Sequence, residues 1–170
     1  MWTMLEGFQH LAAEEIDVLV EAPVLITVLI GAADGNLDRE ERNWTEKLMR
    51  TRTYSKTAQL VSEYYRVVAE GFLEKVDQAM AQLPAEVDAR SQAIAEKLSA
   101  VNPVLAKLEL PLAASLYKSY VSLAHEAAKA SGGFLRMGSV SAAEYEWLNL
   151  PMIQPVVWQD GQEQDEEEEA

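Results

Sequence analysis

Apolar residues recur at a helical period along most of this chain, and the interruptions in that period divide it into elements. Met4, Leu5, Phe8 and Leu11 predict a short first helix over 3–13. Glu14 to Glu21 carries no decisive period. From Ala22 to Ala33 the residues are apolar on every side. This predicts a helix over about 21–33 in the middle of a bundle, with Pro23 in its first turn, where a missing N–H costs nothing. The next helix is expected to start near Asp38, to carry Trp44, Leu48 and Met49 on one face, and to end at 50–53. Leu60, Tyr64, Val68, Phe72, Val76, Met80 and Leu83 then keep one period over 55–83, with a kink at Gly71, since glycine costs about 1 kcal/mol inside a helix.

Pro84 breaks that run. A helix over 86–100 follows, with Val87, Ile94 and Leu98 inward, and Asn102-Pro103 is expected to end it. Leu112, Leu116, Tyr120, Leu123 and Ala127 predict a long helix over 111–130, closed by Ser131-Gly132-Gly133, and a last helix runs from Ser141 to about Leu148. No segment alternates as a strand would. The expected fold is all-α: a compact bundle of six to eight helices in one domain over 1–150. Residues 149–158, with two prolines among Met152, Ile153, Val156, Val157 and Trp158, form an apolar extended strap that must pack on the body or on a partner. Residues 159–170 have the composition of a disordered acidic tail.

Charge sharpens this picture. The 170 residues carry 28 acids and 14 bases, a net charge of −14. Seven of those charges lie in the tail, so the body is acidic as well. Such a surface repels phosphates and anionic lipid, which argues against nucleic acid or a membrane as direct partner and favours cations and basic protein surfaces. There is no cysteine, hence no disulfide, thiolate metal site or cysteine nucleophile. Met1 to Glu6 lacks the basic start of a secretion signal, and the longest apolar run, 12 residues from Ala22 to Ala33, falls short of the roughly 20 a membrane helix needs. A soluble, cytoplasmic protein is the expectation.

Between the central apolar helix and the one after it stands an acidic turn, Asp34-Gly35-Asn36-Leu37-Asp38-Arg39-Glu40-Glu41. It recurs. Gly35 to Trp44 aligns without gaps to Gly138 to Trp147, sharing Gly-x-(Leu/Val)-(Asp/Ser)-x-x-Glu-x-x-Trp, and each copy follows a long apolar helix. Two related helix-turn-helix halves are implied. Asp38 and Ser141 are good N-cap residues, and Glu41 and Glu144, three positions on, can reach back to the cap's own N–H, which makes a capping box. Val140 and Tyr145 stand where a hydrophobic staple would close, and Trp44 and Trp147 are expected to point back to the core.

Through Ala33-Asp34-Gly35-Asn36-Leu37-Asp38-Arg39-Glu40-Glu41 after an apolar helix, and its weaker return at Gly138 to Glu144, the chain resembles the TerB-like family of helical domains named after a tellurite-resistance protein. The resemblance covers most of 20–150. It implies an all-helical domain of two similar halves, without catalysis, tied to bacterial tellurite or chemical stress and binding divalent metal through its acidic turn. Carried over by position, the ligands are Asp34, Asp38 and Glu41, with Glu144 as counterpart in the second half. Met137 and Ser141 replace Asp34 and Asp38 there, so a second site is expected to be weaker or absent.

The turn also reads as the second half of an EF-hand loop, with Asp34 fifth, Gly35 sixth, Asp38 ninth and Glu41 twelfth. Ile30 and Ala32 then fill the first and third positions without a side-chain oxygen, which excludes a full calcium cage and leaves weak binding of Ca²⁺, Mg²⁺ or Zn²⁺, with Glu40 as bridging group. The structural alternative is that acids gather at a helix N-terminus because its N–H groups favour negative charge. On that reading Asp38 and Glu41 only cap, Asp34-Gly35 only turns, and Arg39 and Arg42 balance the charge. Enzymatic readings find little: His125-Glu126-Ala127-Ala128-Lys129 lacks the second histidine of a zinc-protease helix, no Glu-x-x-His pair exists, and His10 is a lone helical histidine. No organic cofactor is implied. Two functions remain open: a metal-binding stress protein acting at the turn, or an interaction module whose turn is a cap and whose strap and tail engage a basic partner.

Overall fold

Every residue from Ala22 to Ala32 is buried, as a segment without a polar side demands. The computed structural model describes residues 6–33, 37–52, 59–130 and 142–159, the side chains of 142–144 excepted. It is all helical: among the described residues there are eight helices and no strand. They are α1 (Ala13–Gly31), α2 (Arg39–Arg52), α3 (Gln59–Ala69), α4 (Phe72–Gln82), α5 (Val87–Ser99), α6 (Val101–Leu105), α7 (Leu110–Ala130) and α8 (Ala142–Trp147). Helix α1 is the axis of the bundle and packs on α3, α4, α5, α6, α7 and α8, most extensively on α7. The two long apolar helices that precede the two repeats thus lie against each other. Helix α2 stands outside α1, on α3, α4 and α7.

Four expectations are corrected. Residues 6–10 form a turn instead of part of a helix over 3–13: Gly7 has φ +87°, a left-handed conformation that ends helical repetition, although Phe8 and Leu11 are buried as their spacing suggests. Helix α1 begins at Ala13, well before Pro23, so the proline lies inside it. The run over 55–83 is two helices, not one kinked helix, because Gly71 adopts φ +61° between α3 and α4. Asn102-Pro103 does not end α5. That helix stops at Ser99, and both residues belong to α6, where proline sits in the first turn and needs no N–H partner.

Pro23 is tolerated for a reason that lies elsewhere in the chain. Its ring nitrogen cannot donate to the Leu19 carbonyl one turn back. The Tyr64 hydroxyl, from α3, donates to that carbonyl instead, and is 2.9 Å from the Tyr120 hydroxyl of α7. Phe8, Tyr65 and Tyr120 surround the Tyr64 ring, Phe8 stacked on it and the other two edge-on. A buried carbonyl left without a donor costs about 1–3 kcal/mol, so the tyrosine allows α1 to continue past the proline.

The strap packs on the body. Leu150 is fully buried with φ +48°, and the Leu150 N–H donates to the Trp147 carbonyl at 2.9 Å, which turns the chain out of α8. A leucine in that conformation is strained by about 1–2 kcal/mol, opposed by burial of its side chain. Asn102 of α6 then fastens the strap at two points: its Nδ2 donates to the Met152 carbonyl at 2.9 Å and its Oδ1 accepts from the Gln154 N–H at 2.8 Å. Ile153 is buried, Val156 half-buried and Val157 70% exposed. The tail expected over 159–170 lies, beyond Gln159, outside the described residues.

Candidate functional site

Helix α1 ends at Gly31, where a Cβ would meet Leu37 Cδ2 at 2.7 Å. Leu37 therefore closes down on the backbone of α1, and a side chain at position 31 would require the end of Leu37 to shift. The last turn of α1 has no basic residue of its own. Arg90, from α5 and only 4% exposed, supplies one by donating from Nη2 to the Ala32 carbonyl at 2.8 Å. A cation at the negative end of a helix is favourable, and it pins the start of the acidic turn to α5.

Asp38 and Glu41 form the reciprocal cap that their spacing predicts. The Asp38 N–H donates to Glu41 Oε2 at 2.8 Å and the Glu41 N–H donates to Asp38 Oδ1 at 2.8 Å. Glu41 is buried at 6% exposure, and Thr45, one turn on, donates its hydroxyl to the Glu41 carbonyl at 2.8 Å. The inward face of α2 is therefore Glu41, Thr45 and Met49, not Trp44, Leu48 and Met49. Trp44 and Leu48 are half-buried at its flanks.

Arg42 does not balance the turn. It forms a bidentate pair with Asp77 of α4, Nη2 donating to Oδ2 at 2.9 Å and Nη1 to Oδ1. The hydrogen bond from Arg42 holds the Asp77 carboxyl below its usual range, and the same bond raises the guanidinium. Arg39 and Glu40 are exposed. Asp34, Gly35 and Asn36 lie outside the described residues, as do Met137, Val140 and Ser141 and the side chain of Glu144. Tyr145, the expected staple partner, is 69% exposed, whereas Trp147 is half-buried and packs on the core.

Of the expected ion ligands the structure thus brings together Asp38 and Glu41, as each other's caps, with Glu40 beside them in water. Among the described residues no group of three or more His, Asp or Glu is arranged to hold a metal ion. Arg90 and Asp77, which position the turn, were not visible in the sequence, because each acts across a long stretch of chain and stands in no periodic relation to the turn. His10 sits in the first turn segment, and its Nε2 donates to the Lys107 carbonyl at 2.6 Å.

Among the described residues, two grooves lie away from the turn. One groove of about 280 Å³ runs between the strap and the α6–α7 corner, lined by Asn102, Leu105, Leu108, Leu110, Ala113 and Val156. Leu110, at its edge, is 52% exposed, so this corner presents apolar surface to water. A second groove, of about 420 Å³, lies along the outer face of α7. No helix among the described residues is long and apolar enough to cross a membrane. Comparison with protein-family models, with curated proteins and with solved structures finds no match.

Proposed function

We propose that this chain is a non-enzymatic, TerB-like helical protein that works as a protein–protein interaction module, with its acidic turn serving as a helix cap. The binding surface is the C-terminal strap with the acidic tail after it, and the partner is a protein with a basic surface. The observation that carries this reading is the state of Glu41. The carboxylate an EF-hand-like ion would require is buried and accepts the Asp38 N–H, so Asp38 and Glu41 have a structural explanation as each other's caps. Val157 on the strap and Leu110 at the groove beside it, both exposed, supply the apolar contact a partner would bury. The setting in a bacterial tellurite or chemical stress response, and in the cytoplasm, rests on the resemblance and the composition.

A second reading, a weak divalent-cation site at the turn, is favoured by the exposed carboxylate of Glu40 next to the capping Asp38, which is itself exposed. Cross-linking of the full chain in its host separates the two. The interaction reading expects a partner that is retained by Glu40→Gln, released by salt and lost in Val157→Asp. Recovery indifferent to Val157→Asp contradicts it, and a cation requirement abolished by Glu40→Gln moves the function to the turn.

A further inference from the structure

Among the described residues four bases are in ion pairs: Arg42 with Asp77, Arg50 with Glu46, Lys97 with Glu21 and Lys107 with Glu15. Helix α7 carries basic residues outside these pairs. Tyr117, Val121, His125 and Lys129 recur every fourth residue, and Lys118 and Ser122 lie beside them, so one stripe of the helix lines the shallow groove of about 420 Å³. Lys118, His125 and Lys129 are exposed, and among the described residues neither lysine is in an ion pair. Arg52, at the end of α2, reaches the groove-lining Ser122, donating from Nη2 to Ser122 Oγ at 3.2 Å and from Nη1 to the Ser119 carbonyl at 3.3 Å while lying over the Tyr65 ring. Glu126 is the one acid of the lining, half-buried. In a chain with twice as many acids as bases, this is a cationic strip with apolar sides.

We infer that the strip is the docking site of this chain's own acidic tail, residues 160–170. The tail supplies seven carboxylates, and the rest of the body, itself net negative, repels it elsewhere. The path is short. The strap ends at Gln159 after passing Leu110 and Ala113 at the start of α7, and Ala113 is one turn from Tyr117 on the same stripe. Lys129 lies about 24 Å along the helix from Ala113 at 1.5 Å per residue, whereas eleven extended residues reach about 36 Å. Tethering places the tail beside the strip at high effective concentration, so individually weak exposed ion pairs add up to a populated contact. The contact is also salt-sensitive. It lies within one chain, so it stands or falls independently of any external partner.

The absence of cysteine permits a clean test on the full chain. A nitroxide is attached at Gln164→Cys, and paramagnetic broadening of backbone amides is read at low and high salt. The inference expects amides of 117–129 to lose roughly half of their intensity or more at low salt relative to the reduced label, and to recover as the Debye length shrinks. Lys118→Glu with Lys129→Glu, both on exposed positions, should abolish the broadening while the remaining spectrum certifies the fold. Broadening that is absent from 117–129, or that survives the double charge reversal, overturns it. So does broadening seen only between a labelled chain and a separate isotope-enriched copy, which would make the occupant a second molecule.

Discussion

Tyr64 does at a distance what a backbone N–H would do locally. Its hydroxyl donates to the Leu19 carbonyl that Pro23 leaves without a partner, from a position 45 residues further along the chain. Tyr64→Phe should therefore cost about 1–3 kcal/mol in denaturant unfolding. The same change in a Pro23→Ala background should cost clearly less, because alanine restores the helical donor; this double-mutant coupling is the sharper readout. Asp38→Ala removes the acceptor of the Glu41 N–H and should cost about 0.5–2 kcal/mol, as loss of an N-cap does. The proline was legible in the sequence and its tolerance was not. A rule about helix interiors sees the missing donor, while the tyrosine that replaces it is fixed only by the packing of α3 and α7 on α1.

At the scale of elements, Gly71 and Asn102 each decide a connection. Gly71 holds φ +61° between α3 and α4, and a Cβ there would meet nothing closer than Glu74 Oε2 at 3.7 Å. Gly71→Ala should thus destabilise by about 1–2 kcal/mol through backbone conformation alone, read from the shift in unfolding midpoint, with Gly71→Asn costing less. Asn102→Ala removes both fastenings of the strap, and hydrogen exchange at Gln154 should rise while the α1 and α7 amides stay protected. The bounds of α2, α5 and α7 were readable to within a few residues, α7 from its one apolar stripe facing the core, whereas the inward face of α2, Glu41, Thr45 and Met49, was not. The first segment and the α3–α4 junction were misread because left-handed backbone at Gly7 and Gly71 leaves the apolar spacing intact across a break. The capping box was readable because both partners lie within one turn. Arg90 and Asp77 were not, because they reach the turn from α5 and α4.

For the whole molecule, pH exposes what is ionised and what is held neutral. Glu15, Asp77 and Glu86 titrate below their usual range, through a hydrogen bond from Lys107, a hydrogen bond from Arg42, and the Ala89 and Asp88 N–H groups at the start of α5. The folded chain gives up these protons more readily than the unfolded one. Their contribution is complete above the ordinary carboxylate values of 4.5 for Glu and 3.8 for Asp, and is lost as pH falls through the lower folded values. The melting temperature should decline over that acid range, and less steeply in Asp77→Asn. On the alkaline side, burial pushes the Tyr64, Tyr65 and Tyr120 hydroxyls above their usual 10.0. The folded state keeps these protons, so stability is complete below that value and falls as pH rises past it. Ultraviolet titration should show the three phenolates forming only as the chain unfolds.

If the acidic turn is a cap and the function lies in the strap and tail, residues 34–41 hold no specific ion. The most direct measurement is a backbone amide NMR titration of the full chain with Ca²⁺, Mg²⁺ and Zn²⁺ at moderate salt, repeated on Asp34→Asn. The salt matters because a chain of net charge −14 gathers any cation loosely. A turn that only caps gives small, unsaturated shifts that spread over the acidic surface and fall mainly on 159–170, the same in both proteins. Saturable shifts centred on residues 34–41 that vanish in Asp34→Asn would contradict it.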